Sequence, residues 1–117
     1  MKEFTRESSV DVFDIAESAS MSDAVDVSQY AGGLIVIPSS WTAAGISFHV
    51  GNTSGGTFFP VYDANDALVE IAAVSASRAY QIPVDVFGAR YLKIQSQTAG
   101  TPVNQAAARD ITVFLKA

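Results

Sequence analysis

The sequence predicts an all-β protein, an antiparallel β-sandwich of jelly-roll-like topology with eight or nine short strands. Short apolar runs recur about every ten residues between turn-forming residues, a spacing that is typical of sandwiches. No stretch keeps the period of an amphipathic helix beyond two turns. The 117 residues fit one domain. We expect the sandwich over residues 10–117 and a flexible arm over residues 1–9, which show no pattern.

The first strands are expected between residues 10 and 28. Apolar and acidic residues alternate from Val10, and the alternation slips at Phe13, which indicates a β-bulge. Val25 and Val27 then face one side and Asp26 the other, so residues 24–28 are predicted as a second strand.

A central strand is predicted over residues 34–37, an uninterrupted apolar run that Pro38 ends. A run without alternation is typical of a strand that is covered on both faces. In the next strand Ile46, Phe48 and Val50 are predicted to face one side, and Ser47 and His49 the other. The glycine-rich residues 51–56 are predicted as a loop.

A hairpin is predicted where residues 57–62 and 67–72 flank the tetrapeptide Asp63-Ala64-Asn65-Asp66. Asp and Asn hydrogen-bond their own backbone in turns. A calcium loop would need glycine and glutamate where Leu68 and Val74 stand, so the turn is the preferred interpretation. The remaining elements are a strand over residues 79–82, one helical turn over 84–88, a strand over 91–96, a polar loop over 97–108 and a last strand with Ile111, Val113 and Leu115.

Composition argues against several classes of function. The net charge is −5 and the seven basic residues are scattered, whereas nucleic-acid binding needs clustered Lys and Arg. The absence of cysteine excludes disulfides and thiolate catalysis. No apolar run reaches the ~20 residues of a membrane span, and no signal peptide is visible. We therefore expect a soluble protein made in a cytoplasm, with no nucleic-acid or membrane partner.

Groups that could carry catalysis are few. His49 is the only histidine and lies mid-strand on the polar side, and no nucleophile elbow or phosphate-binding loop occurs. We expect no enzyme activity, no cofactor and no metal site. A hydrolase would need His49 in a cleft beside two carboxylates.

Aromatic residues indicate protein binding, since Trp and Tyr are enriched at interfaces. Phe58 and Phe59 are adjacent, and neighbours in a strand face opposite ways, so one of them packs under a loop or faces a partner. The residues predicted to bind a partner are Phe4, Arg6, Trp41, Phe58 and Tyr91.

Four stretches together carry a resemblance to a known group of proteins. They are residues 37–44 (Ile-Pro-Ser-Ser-Trp-Thr-Ala-Ala) with Ile46 and Phe48, residues 58–63, residues 88–94 (Gly-Ala-Arg-Tyr-Leu-Lys-Ile) and residues 100–109. The chain from Asp23 to its C-terminus resembles small virion structural proteins of tailed bacteriophages, some of which are capsid decoration (cement) proteins.

This resemblance implies a β-sandwich on the outside of a phage head, made in the host cytoplasm. It implies a homo-oligomer, with a trimer favoured, that clamps neighbouring subunits of the major capsid protein. A tail or neck component is an alternative. The stretch from Trp41 to Phe48, followed by residues 90–94 (Arg-Tyr-Leu-Lys-Ile), also resembles discoidin-like carbohydrate-binding sandwiches. This resemblance implies a virion-surface carbohydrate-binding module as a further alternative. Such a module would show exposed aromatics in a loop-end pocket with converging polar groups.

Overall fold

The computed structural model describes residues 8–117, which form ten strands and one short 3-10 helix. The strands are β1 (Ser8–Ile15), β2 (Val25–Asp26), β3 (Gly32–Val36), β4 (Gly45–Gly51), β5 (Phe59–Pro60), β6 (Glu70–Ile71), β7 (Ala79–Gln81), β8 (Tyr91–Thr98), β9 (Thr101–Pro102) and β10 (Arg109–Lys116). The 3-10 helix, Val84–Gly88, follows Pro83 and occupies the predicted helical turn. Across residues 8–117, no helix has the length and apolar character that a membrane crossing requires.

The strands form two antiparallel sheets, and their order is that of a jelly roll. One sheet has the order β1-β10-β3-β7 and the other β2-β8-β4-β5, with β6 also paired to β4 and β9 to β8. The chain changes sheet at six of its nine connections, among them β1 to β2, β2 to β3 and β3 to β4. Apart from the two-residue strands β6 and β9, the strands form two four-stranded sheets joined as in a jelly-roll sandwich. The predicted fold class is confirmed, with ten strands where eight or nine were predicted.

The predicted hairpin is present only at its tip. β5 and β6 both pair with the same edge of β4 and not with each other, and residues 62–68 project between them, closed by a bridge from Tyr62 to Leu68. The Asp63 carboxylate accepts hydrogen bonds from the backbone N–H groups of Asn65 and Ala67, at 2.8 and 3.0 Å. The acids of this segment therefore shape the turn.

The core lies between the two sheets and is built by alternate residues of the long strands. The predicted inward residues of β4, β8 and β10 are buried except for Val50, which is half-buried against the core, and Val25 and Val27 are buried as expected. The largest fully buried apolar side chains are Phe13, Phe48, Ile15, Ile35, Ile37, Ile46, Ile82, Leu92, Ile94 and Ile111.

The predicted bulge at Phe13 is wrong. β1 pairs with β10 in one continuous register from Ser8 opposite Lys116 to Ile15 opposite Arg109. Phe13 and Ile15 face the core, whereas Val10 is 65% exposed and lies on the other side of the sheet. The apparent slip arises because β1 carries apolar residues on both sides. Of the predicted arm, Ser8 and Ser9 lie in β1, and residues 1–7 fall outside the described residues.

The polar loop predicted over residues 97–108 is partly strand. β8 continues to Thr98, and β9 turns back to pair with it through Ala99 and Gly100. Both turn residues have positive φ, +51° and +87°, a region that glycine adopts without steric cost. The rest of this segment runs back over the sheet end and buries Gln105 completely.

Candidate protein interface

The strand predicted to be covered on both faces is covered on one. β3 is central in its sheet, between β10 and β7, and Ile35 is fully buried. Leu34, on the opposite side, is 44% exposed, and Val36 beside it is half-buried. Among residues 8–117, no layer packs on this side of the sheet. The sequence of β3 is therefore typical of a strand that is covered on both sides, but within residues 8–117 only one side of β3 is covered.

The uncovered side of the four-stranded sheet is apolar across three strands. In one cross-strand row Val10 lies opposite Phe114, which lies opposite Leu34, and in the next row Val12, Thr112 and Val36 are aligned. Phe114, like Leu34, is 44% exposed. We call these six residues the outer face. A shallow groove of about 590 Å³ lies at one end of it, lined by the first of these rows and by Lys116. Contiguous exposed apolar surface of this kind marks interaction sites.

Charge is distributed unequally along the outer face. Strand β10 presents Asp110 at one end of this side and Lys116 at the other. Asp14 of β1 stands directly opposite Asp110, and Ser8 stands opposite Lys116. At about 3.4 Å per residue, the acidic and basic ends are roughly 20 Å apart. The apolar rows lie between them.

The environment at the acidic end of the face raises the pKa of Asp14. A hydrogen bond with the Asp110 carboxyl, burial, and the negative charges of Asp110, Asp23 and Asp11 raise the pKa of Asp14 to about 6. Like charges directly opposite each other in a sheet are destabilising. The folded chain therefore holds a proton on Asp14 that the unfolded chain releases between pH 3.8 and about 6.

At concentrations at which the chain is monomeric, Asp14→Asn is expected to stabilise it against unfolding at pH 7.5 and to have little effect at pH 4. Because the folded pKa is raised, the stabilisation from the protonated carboxyl is complete below pH 3.8 and is lost as the pH rises through about 6. Urea unfolding across this range measures the difference from wild type. Asp85→Asn, on an exposed residue of the 3-10 helix, is the control. An equal gain for Asp14→Asn at both pH values would contradict the assignment.

A second exposed apolar area lies on the free edge of the six-stranded sheet. Phe59 in β5 is 62% exposed and Tyr62 at the base of the hairpin is 52% exposed. We call these two residues the aromatic edge. Phe58 beside them is half-buried, with the Lys93 ammonium 4.4 Å from the centre of its ring, a cation–π contact.

The structure separates the residues predicted to bind a partner. Gly51, at the end of β4, is opposite Tyr91 in the ladder and packs against Phe58, so Tyr91 and Phe58 lie at one end of the sheet. Trp41 precedes the other end of β4, where its indole N–H donates to the Ala44 carbonyl at 3.3 Å and its ring packs on the core. Phe4 and Arg6 fall outside the described residues.

The environment of His49 is that of a structural side chain. Its Nε2 lies 3.2 Å from Oε1 of Gln95, and burial lowers its pKa below the usual value. Within residues 8–117, no three His, Asp or Glu side chains are grouped so that they could hold a metal ion.

Sequence reasoning missed the residues that form the outer face. The prediction from sequence rested mainly on aromatic residues, whereas the most exposed residues of the outer face are Val10, Leu34 and Phe114. The available signal was that β1, β3 and β10 each carry apolar residues on both sides. Neighbouring strands that carry apolar residues on both sides are typical of a sheet that is packed against other elements on both faces.

The fold and its surface define a class: a jelly-roll domain in which, within residues 8–117, one sheet face is apolar and exposed. No family model matches the chain, and no curated protein matches it in sequence. The chain is similar to a solved structure, the crystal structure of the SPBc2 prophage-derived protein YomS. The TM-score is 0.64 at 12% identity, and the match covers 100% of this chain and 99% of that chain. At this identity the similarity establishes the shared fold.

Proposed function

We propose that this chain is a structural protein of a bacteriophage virion, a capsid decoration protein that binds the outside of the head. It would stabilise contacts between subunits of the major capsid protein without any chemical reaction. The chain shares its complete fold with a prophage-derived protein, which supports a phage origin. The family resemblance read from the sequence points to the same group.

The observation that carries the proposal is the uncovered outer face. Val10, Leu34 and Phe114 are exposed together on the flat side of a sheet. Burying exposed apolar area contributes about 25 cal/mol of favourable free energy per Å². A single domain in solution does not gain this free energy, whereas a domain that buries the face in an assembly does. An assembly protein is the class that this surface fits.

A decoration protein that acts as a homo-oligomer needs a contact to its own copies and a contact to the lattice. The outer face and the aromatic edge are on different sheets, so one copy can use both at once. We assign lattice binding to the aromatic edge, because aromatic anchors carry much of the energy of protein interfaces. Oligomers then engage several lattice sites together, and avidity exceeds the affinity of one contact.

The test is co-sedimentation of the purified protein with expanded empty heads that lack it, from the phage whose genome encodes the chain. Saturable binding in a fixed ratio to the major capsid protein is expected. Phe59→Ser with Tyr62→Ser should weaken it at least ~10-fold. Val84→Ser is the matched control, because Val84 is 65% exposed but lies on the 3-10 helix. Binding only to tails or necks, or to neither, would overturn the decoration role.

A carbohydrate-binding module is the second candidate. Phe59 borders an open cleft of about 380 Å³ that Asn52 and Arg90 also line, so an exposed aromatic ring and two polar side chains converge at a loop end. Sugars stack on such rings while polar groups fix their hydroxyls. Specific binding on a glycan array that Phe59→Ser abolishes, together with no binding to heads, would favour this function.

A further inference from the structure

We infer that the outer face is covered by a second copy of this chain, packed face to face about a twofold axis that runs across the strands. The inference deepens the proposed function, since it names the self-contact of the proposed oligomer. The observation behind it is the charge arrangement on β10, where one side of the strand runs from Asp110 through Thr112 and Phe114 to Lys116.

A twofold axis across the strands reverses the strand direction of the second copy. The basic end of one outer face then lies over the acidic end of the other. Lys116 of each copy comes over Asp14 and Asp110 of the partner subunit, and this happens twice, once at each end. Facing sheets pack about 10 Å apart, a gap that a lysine and an aspartate side chain bridge together.

The same axis also places the apolar rows of the two copies against each other. With the charged ends superposed, the row of Val10, Phe114 and Leu34 packs on the row of Val12, Thr112 and Val36 of the partner subunit. The first row stands highest, since Val10 is 65% exposed, and the second contains the half-buried Val12 and Val36. High and low rows interdigitate, as the inner faces of two packed sheets do.

The proposed dimer accounts for two features that the structure of the single chain does not explain. One is the pair of like charges at Asp14 and Asp110, which the ammonium group of the partner subunit would neutralise. The other is β3, whose sequence is that of a strand covered on both sides. A twofold axis along the strands would instead place acids on acids and bases on bases, so the charges select the first axis.

The test is sedimentation equilibrium of the full chain at pH 7.5 over a range of concentrations. Wild type is expected to show twice the 12.3 kDa chain mass. Lys116→Glu should raise the dissociation constant at least ~100-fold, because it creates repulsion at both ends of the interface. Arg90→Glu changes the net charge equally on the other side of the molecule, where Arg90 faces Asp26 at 3.7 Å, and should remain dimeric.

The decisive variant combines Lys116→Glu with Asp110→Lys and Asp14→Asn, because Asp14 opposite residue 110 would otherwise keep a negative charge at that end. It exchanges the signs at the two ends, so the antiparallel arrangement predicts that the dimer returns. Urea unfolding of each variant establishes that it folds, and Leu34→Asp provides a second monomer-forming variant whose effect does not depend on the charged ends. A folded triple variant that stays monomeric would overturn the proposed axis.

Wild type that is monomeric at all concentrations, or trimeric as the resemblance implies, would overturn the inference. A monomer would leave the outer face to another protein or to residues 1–7. The outcome is separable from head binding: a dimer that ignores heads supports this inference and contradicts the proposed function, and a monomer that binds heads does the reverse.

Discussion

Gln105→Ala is expected to lower the free energy of unfolding by roughly 2–4 kcal/mol. The Gln105 side chain is fully buried, and its amide nitrogen donates to the Thr42 carbonyl at 3.1 Å and to the Ser96 hydroxyl at 2.7 Å. Its oxygen accepts from the Thr42 N–H at 2.8 Å and from Nε of Arg109 at 3.1 Å. Alanine leaves these groups without partners, and an unsatisfied buried polar group costs about 1–3 kcal/mol.

Urea unfolding at pH 7 measures this effect. Gln29→Ala is the matched control, because Gln29 is exposed in a turn and such changes stay within about 0.5 kcal/mol. Gln105→Glu places a carboxylate at a site that needs an amide donor, and should destabilise the fold at least as much as alanine. A loss below 1 kcal/mol for Gln105→Ala would show that the network is dispensable.

Phe48→Ala is expected to cost about 3–5 kcal/mol, the range for removing a buried phenylalanine. Phe48 is completely buried at the middle of β4, opposite Ile94 in the ladder. The two sheets hold the surrounding side chains in place, so the cavity collapses only in part. A domain is typically stable by about 5–15 kcal/mol in all, so this one change removes a large share.

Thermal and urea unfolding both report this loss, and the melting temperature should fall by roughly 10 °C or more. Phe59→Ala is the control, because Phe59 is 62% exposed and its removal leaves no cavity. Equal losses for the two variants would contradict the assignment of Phe48 to the core.

The alternation of apolar residues was sufficient to predict the fold. The inward sets of β4, β8 and β10 follow a period of two, and the Asp63 turn uses residues with known turn chemistry. Alternation failed in β1, where Val10 and Val12 face outward while Phe13 and Ile15 face inward. Period-two reasoning assumes that one side of a strand is polar, and β1 violates that assumption because it carries apolar residues on both sides.

The hydrogen-bond network around Gln105 could not be predicted from the local sequence pattern. Gln105 lies in a run of small and polar residues that resembles any surface loop. Its burial depends on Thr42, which is distant in sequence and contacts it only in the folded chain. The candidate interface was missed for a related reason: Leu34 and Phe114 become neighbours only when β3 pairs with β10.

We propose that the outer face is a buried protein interface within a virion. The most direct test is cryo-electron microscopy of heads decorated with the purified protein. We predict density at symmetric positions on the outside of the head, with Val10, Leu34 and Phe114 buried against a second copy and the aromatic edge against the lattice. Ordered density in which the outer face of the four-stranded sheet points into solvent would contradict the account.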